Sequence, residues 1–156
     1  MKSALIARRL KPPLLSTKTL TYKSKGAVLE TGIGTSQNIR FYPIDSSVSS
    51  ITGVDYSPHA LEIGMSKFQK GREIEYQLQD VEKLNFAENS FDTVVDTFGL
   101  EFYVKPHLAL LEMQRVCKNK GRILLLANGI SDNKWLARYL RYKQPYSLGK
   151  FGRFNR

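Results

Sequence analysis

Short apolar runs, separated by polar stretches that contain glycine or proline, recur along the chain from Gly26 to residue 128. The pattern predicts five strands: GAVLE (26–30), ITGVDYS (51–57), IEYQLQD (74–80), FDTVVDTF (91–98) and RILLLAN (122–128). One helix is predicted to begin at Ser57-Pro58 and another to cover 105–118, and Gly121 is predicted to supply the turn before the fifth strand. Alternating helices and near-continuous apolar strands predict an α/β fold with a doubly wound, mostly parallel sheet of about five strands.

The basic residues of the chain are concentrated at its two ends. The net charge of the 156 residues is +10, yet residues 1–29 hold seven Lys/Arg and no acid, and residues 130–156 hold seven Lys/Arg and one acid. The segment between them is slightly acidic, with ten basic and thirteen acidic residues. The length fits one domain, the single Cys117 excludes an internal disulfide, and no apolar run reaches the 18 or so residues that would span a bilayer.

Residues 1–25 form a basic N-terminal segment that is rich in Ser and Thr and free of acid. This composition is typical of a mitochondrial transit peptide, and the apolar residues 4–6 followed by Arg8 and Arg9 would suit its amphipathic helix. A disordered basic arm and a start site inside a longer gene are the alternatives. The segment therefore predicts a mitochondrial location, and otherwise a cytoplasmic one.

The stretch VLETGIGTSQN (28–38) places a carboxylate and two glycines at the end of the first predicted strand. The dinucleotide fingerprint would need a third glycine at position 37, which is Gln37, and the phosphate-cradling loop is absent. Glu30 would repel a pyrophosphate and favour a ligand that carries an amino group or a sulfonium. S-adenosylmethionine carries both, and the alternative is a plain turn from strand to helix.

Two more carboxylates stand at the ends of the next predicted strands. Asp55 is placed to accept hydrogen bonds from two ribose hydroxyls, and Asp80 from the exocyclic amine of adenine, with the Val81 backbone beside a ring nitrogen. Each alone is as well explained as a solvated loop acid. Because three successive strand ends carry a carboxylate, we favour a single adenosyl-amino-acid ligand.

Four blocks of the sequence resemble the class I S-adenosylmethionine-dependent methyltransferases: VLETGIGTSQNIRFYP, ITGVDYSPHALEIGMSK, DVEKLNFAENSFDTVVDTFGL and LLEMQRVCKNKGRILLLANG. They are similar to the ubiquinone-biosynthesis type and to a membrane-anchored mitochondrial methyltransferase-like group. The resemblance implies a Rossmann-like methyltransferase domain over 26–130 that uses S-adenosyl-L-methionine. It further implies these roles: Glu30, Gly32 and Gly34 hold the methionine part, Asp55 the ribose, and Asp80 with Val81 the adenine, while Thr97 and Phe98 lie beside the sulfonium.

The chain departs from the family pattern at three places. Ser36 stands where the family has its third glycine, the turn before the fifth strand reads KNKG, and the family's final helix and strand pair have no counterpart. Without that strand pair, the fifth strand would leave an open sheet edge, which a partner chain or the tail 131–156 could cover. The tail interleaves aromatic and basic residues, and aromatic side chains can stack on RNA bases while basic ones neutralise phosphates. The alternative interpretation is that the tail is a frayed, solvated segment.

These observations predict a methyltransferase acting on a small acceptor that is quinone-like, a lipid or a thiol. No catalytic residue is assigned, and Glu101, which follows the fourth strand, is the weak candidate for acid or base work. No metal site is predicted. The alternative is a shortened, inactive methyltransferase-like protein that binds RNA or a mitochondrial protein assembly.

Overall fold

The computed structural model describes residues 3–8, 17–43, 45–67 and 73–127, with the backbone alone described for 3–8. Within these residues one parallel sheet contains six strands: β1 (Ser3–Arg8), β2 (Gly26–Thr31), β3 (Val48–Asp55), β4 (Ile74–Leu78), β5 (Phe91–Thr97) and β6 (Cys117–Ala127). Their order across the sheet is β1-β6-β5-β2-β3-β4. The strand order therefore reverses between β2 and β5, the place where doubly wound sheets bind their ligands. The predicted doubly wound parallel sheet is confirmed.

Along the chain, helices alternate with the strands. They are α1 (Thr17–Thr21), α2 (Pro58–Lys67) and α3 (Pro106–Val116), with short 3-10 helices at Ile39–Phe41 and Gly99–Glu101. At the start of α2 the Ser57 Oγ accepts a hydrogen bond from the Ala60 N–H at 3.2 Å, so the predicted cap is present. None of the described helices is long and apolar enough to cross a bilayer.

Two apolar layers cover the two faces of the sheet. One contains Leu29, Val94 and Leu125, and the other contains their neighbours on the same strands, Val28, Val95 and Leu124. Neighbouring residues of a strand point to opposite faces, so both faces are buried and the strands carry near-continuous apolar runs.

Helix α3 also fixes the loop that follows β4. The Arg115 guanidinium donates to the carbonyls of Phe86 (2.7 Å) and Leu84 (2.9 Å), while the Glu112 carboxylate accepts from the Leu84 N–H at 2.8 Å. Arg115 and Glu112 also pair with each other at 2.7 Å. These contacts hold the loop after residue 80 against the body of the domain.

The sheet edge beside β6 differs from the expectation. The backbone of β1 pairs with β6 in parallel register, from Ser3 opposite Arg122 to Arg8 opposite Ala127. The segment 4–8, which would suit an amphipathic helix, is therefore part of a strand, and the predicted open edge of the last strand is wrong. A six-residue strand is defined by a partner more than a hundred residues away, which a local pattern does not contain. The tail 131–156, proposed as a cover, lies outside the described residues.

The last strand also begins earlier than predicted. β6 starts at Cys117, directly after α3, and the turn predicted at Gly121 is an irregularity inside the strand. Opposite β5, Phe91 pairs with Cys117 and Thr93 pairs with Arg122, so the residues between them bulge out of register. The proposed division of the chain at residue 26 stays a prediction, although β1 belongs to the same sheet as the later strands.

Candidate active site

A cavity of about 350 Å³ lies at the carboxyl ends of the central strands. It is lined by Gly32, Gly34, Asp55, Tyr56, Asp80, Val81, Thr97, Phe98, Gly99, Phe102 and Tyr103. Its volume falls within the range of about 300–1,000 Å³ that is usual for small-molecule sites. Six of the seven predicted cofactor residues line it, namely Gly32, Gly34, Asp55, Asp80, Val81 and Thr97.

The loop after β2 is shaped by residues in the left-handed backbone region. Gly32 has φ +60° and Gly34 φ +54°, a conformation that glycine adopts without steric cost. The Gly34 N–H donates to Asp55 Oδ2 at 2.8 Å, which ties this loop to the end of β3. A Cβ on Gly32 would come within 2.8 Å of the Tyr103 hydroxyl, so the absence of a side chain there keeps the cavity open.

Ser36, the residue in place of the family's third glycine, also has a left-handed φ of +63°. Such a backbone is unfavourable for a residue with a Cβ. Its Oγ donates to the Tyr76 hydroxyl at 3.0 Å, and the space beside it is left free by Gly64 of α2. Ser36 in place of glycine thus adds a hydrogen bond to Tyr76 and places a residue with a Cβ in an unfavourable backbone conformation.

Asp55 and Asp80 each use a carboxylate oxygen to fix their own loop. Asp55 Oδ1 accepts from the Ser57 N–H at 2.9 Å, and Asp80 Oδ1 accepts from the Glu82 N–H at 2.8 Å. Each carboxylate oxygen can accept more than one hydrogen bond, so both side chains retain acceptor capacity towards the cavity. Val81, next to Asp80, is buried in the apolar layer.

Glu30 is the predicted cofactor residue that does not line the cavity. Its carboxylate is buried and accepts hydrogen bonds from Asn38 Nδ2 at 2.6 Å and from the Tyr42 hydroxyl at 2.8 Å. Burial disfavours the charged form and raises the pKa of Glu30 to about 7, although both hydrogen bonds act in the opposite direction. Asn38 donates to Thr97 Oγ1 as well, at 2.6 Å. The geometry favours a role for Glu30 in holding the loop and Thr97, and its direct contact with a cofactor stays a prediction.

A second buried carboxylate, Asp96, was not singled out from the sequence. Asp96 Oδ2 accepts from the Tyr103 hydroxyl (2.7 Å) and Thr31 Oγ1 (3.0 Å), and Oδ1 accepts from the N–H groups of Gly99 (3.0 Å) and Leu100 (3.3 Å). Burial raises the pKa of Asp96, and it raises that of Tyr103 well above its usual value. The signal was present in the sequence, since an acid within the apolar run VVDTF needs buried partners.

Part of the cavity wall is aromatic. Phe98, Phe102 and Tyr103 line it together with Tyr56, and Phe98 has a left-handed φ of +65°. A bulky residue in this conformation is rare and is found where the surrounding structure requires it. The Phe98 N–H donates to the Leu126 carbonyl at 2.6 Å, so the backbone at Phe98 is held against β6.

Glu101, the candidate acid or base, lies in the 3-10 helix Gly99–Glu101 and is not among the residues that line the cavity. Its catalytic role stays a prediction. In the described part of the chain, no group of three or more His, Cys, Asp or Glu side chains is arranged to hold a metal ion.

The family of the chain follows from comparison with known proteins. A family model described as a methyltransferase domain matches residues 29–125, which contain every predicted cofactor residue. The chain belongs to this methyltransferase family. The predicted membership of the class I enzymes is confirmed, and S-adenosyl-L-methionine is the cofactor of that class.

Individual relatives agree with the family. The ubiquinone/menaquinone biosynthesis C-methyltransferase UbiE of Geotalea daltonii is 33% identical over 71% of this chain and 49% of its own length. The mitochondrial methyltransferase OMS1 of Saccharomyces cerevisiae is 29% identical over 86% of this chain and 32% of its own length. The crystal structure of the YcgJ protein of Bacillus subtilis is similar with a TM-score of 0.69 and 25% identity, over 82% of this chain and 55% of that one. The chain spans about half the length of the curated relatives it matches first.

Proposed function

We propose that this chain carries the S-adenosylmethionine site of a methyltransferase that acts on a small acceptor, which is quinone-like, a lipid or a thiol. The observation that carries the proposal is the cavity, where Gly32, Gly34, Asp55, Asp80, Val81 and Thr97 come together from separate strand ends. The family to which the chain belongs uses this cofactor.

The residues of the cavity fit the cofactor part by part. Asp55 would accept from the ribose hydroxyls, Asp80 from the adenine amine, and the Val81 backbone would lie beside a ring nitrogen. The glycines at 32 and 34 leave room for the methionine part, because no side chain stands between the backbone and the ligand. Acidic strand ends favour a ligand whose amino group and sulfonium are positively charged.

The acceptor side of the proposal rests on the aromatic wall. Phe98, Phe102 and Tyr103 offer flat apolar surface next to Thr97, where the sulfonium is expected. Such a surface suits a planar or apolar acceptor, and the UbiE relative is named for ubiquinone and menaquinone biosynthesis. The bound cofactor supplies an activated methyl group, so the residues of the wall contribute mainly by holding the acceptor in line.

Binding of S-adenosylmethionine to the Asp55→Ala variant tests the assignment. The substitution removes the acceptor for two hydroxyls, and we expect a loss of about 1.5–3 kcal/mol in calorimetric affinity, as for hydrogen bonds to a charged group. Asp45→Ala is the matched control, since Asp45 accepts from the N–H of the residue two places on at 2.9 Å, as Asp55 does, without lining the cavity. Unchanged affinity in Asp55→Ala would remove the ribose role from Asp55.

We further propose a mitochondrial location. It is supported by the acid-free basic segment 1–25 and by the likeness to OMS1, whereas the bacterial UbiE relatives favour the cytoplasm. The alternative function, binding of RNA or of a protein assembly by an inactive domain, rests in part on the basic tail 131–156, which lies outside the described residues.

A further inference from the structure

Asp96 is a buried carboxylate whose described partners are all neutral. Its two oxygens accept from two backbone N–H groups and from the hydroxyls of Thr31 and Tyr103. Within the described residues, no Lys, Arg or His forms an ion pair with it. A carboxylate that is removed from water without a counter-charge is costly, and a cation placed nearby would relieve this cost.

Two residues that line the cavity, Gly99 and Tyr103, donate hydrogen bonds to this carboxylate. A Cβ added to Gly99 would come within 2.5 Å of Asp96 Oδ2 and closer still to the Tyr103 hydroxyl, so the glycine leaves the carboxylate next to the cavity wall. Both Gly99 and Tyr103 line the cavity, together with Thr97. The carboxylate of Asp96 therefore contacts residues of the cavity wall that lie close in sequence to Thr97, where the sulfonium is expected.

We infer that Asp96, with Tyr103 in front of it, recognises the positive charge of the sulfonium and makes the site prefer S-adenosylmethionine over the uncharged thioether S-adenosylhomocysteine. The inference rests on the proposed function and adds the element that distinguishes cofactor from spent product. The two ligands share adenine, ribose and the amino-acid end, so all contacts to these groups cancel in the ratio of their affinities. The two ligands differ only at sulfur, in its charge and its methyl group, so the ratio reports on groups next to the sulfur, and its dependence on pH reports on a titrating charge.

The preference depends on pH because only the ionised carboxylate attracts the cation. The titratable groups around Asp96 are Glu30 on β2 and Tyr103 after the 3-10 helix, and Asp55 at the end of β3 acts on Tyr103. Burial raises the pKa of Asp96, so the charged form is lost as the pH falls through that raised pKa. The affinity ratio should therefore rise with pH.

Calorimetric titration of the full chain with each of the two ligands, at several pH values, tests the inference. In Asp96→Asn we expect the preference for S-adenosylmethionine at pH 8 to fall about tenfold, the factor that corresponds to one pKa unit of charge interaction, and its pH dependence to disappear. Glu62→Gln, which removes one carboxylate from the surface of α2, should match the parent protein, since that side chain is 81% exposed.

Tyr103→Phe keeps the carboxylate and removes one hydrogen bond that lowers the pKa of Asp96. We expect this variant to prefer S-adenosylmethionine as the parent protein does, but the preference should appear at a higher pH. If Asp96→Asn does not fold, the pH at which the preference appears in Tyr103→Phe tests the inference. The inference would be overturned if Asp96→Asn lowered the affinity for both ligands equally. It would also be overturned if the affinity ratio of Asp96→Asn still depended on pH, because the titrating group would then be Glu30. If the folded parent chain bound neither ligand, the proposed function itself would fail.

Discussion

The buried carboxylate of Glu30 should make the stability of this domain depend on pH. Its pKa is about 7 in the folded chain against 4.5 for an ordinary glutamate, because burial disfavours the charge. Between these values the folded state holds a proton that the unfolded state has lost, so the free energy of unfolding falls as the pH rises.

Glu30→Gln removes this titration while keeping the size of the side chain. Its amide oxygen can still accept from Asn38 Nδ2, and its NH2 can donate to the Tyr42 oxygen in place of the bond that Glu30 accepts. Relative to this variant, we expect the parent protein to lose about 3 kcal/mol of stability between pH 4 and pH 8, because the pKa of Glu30 rises from 4.5 to about 7 on folding. Denaturant unfolding at both pH values measures the difference. The same pH dependence in parent and variant would show that Glu30 does not titrate in this range.

The residues at strand ends were predictable, and the buried partners were not. Gly32, Asp55 and Asp80 stand directly after apolar runs, so a local pattern and the geometry of parallel sheets are enough to bring them together. Asp96 accepts a hydrogen bond from Thr31 because the two residues lie opposite each other on the neighbouring strands β5 and β2. Register between distant strands depends on packing along the whole sheet, and the sequence pattern does not encode it locally.

Helix α2 and the glycine loop fit together at Gly64 and Ser36. A Cβ on Gly64 would collide with Ser36 Oγ and lie 3.3 Å from the Gly34 carbonyl oxygen. Although alanine normally stabilises a helix relative to glycine, we expect Gly64→Ala to lower the free energy of unfolding by about 1–3 kcal/mol, as overpacking does.

Ser36→Gly provides the matched rescue. It removes the obstructing hydroxyl and relieves the left-handed backbone at position 36, so the double variant should regain most of the stability lost in Gly64→Ala. Thermal unfolding of the two single variants and the double variant gives the coupling between the sites. Additive effects would mean that α2 and the loop do not meet as the structure has them.

The elements of the sheet differed in how far the pattern revealed them. β2, β3, β4 and β5 were predicted close to their observed bounds, because each is an apolar run flanked by turn residues. β1 was read as a basic amphipathic helix, since SALIAR is too short to show a strand period and its partner is β6. Long-range pairing decided its conformation.

The N-terminal segment now has two proposed roles, as a targeting signal and as the edge strand of the sheet. We predict that residues 1–30, fused to a fluorescent protein, direct it to mitochondria, because the segment is basic and free of acid. A diffuse cytosolic signal would contradict this. The mass of the imported full chain then shows whether Ser3–Arg8 is kept, since its removal would uncover the backbone of β6.

The central claim is that the four strand ends of β2 to β5 form one site for S-adenosylmethionine. Calorimetric titration of the purified chain with this ligand at pH 7.5 or above tests it most directly, with circular dichroism on the same sample to show that the protein is folded. We expect saturable binding of one ligand per chain. A folded chain that gives no binding signal up to millimolar ligand would contradict it.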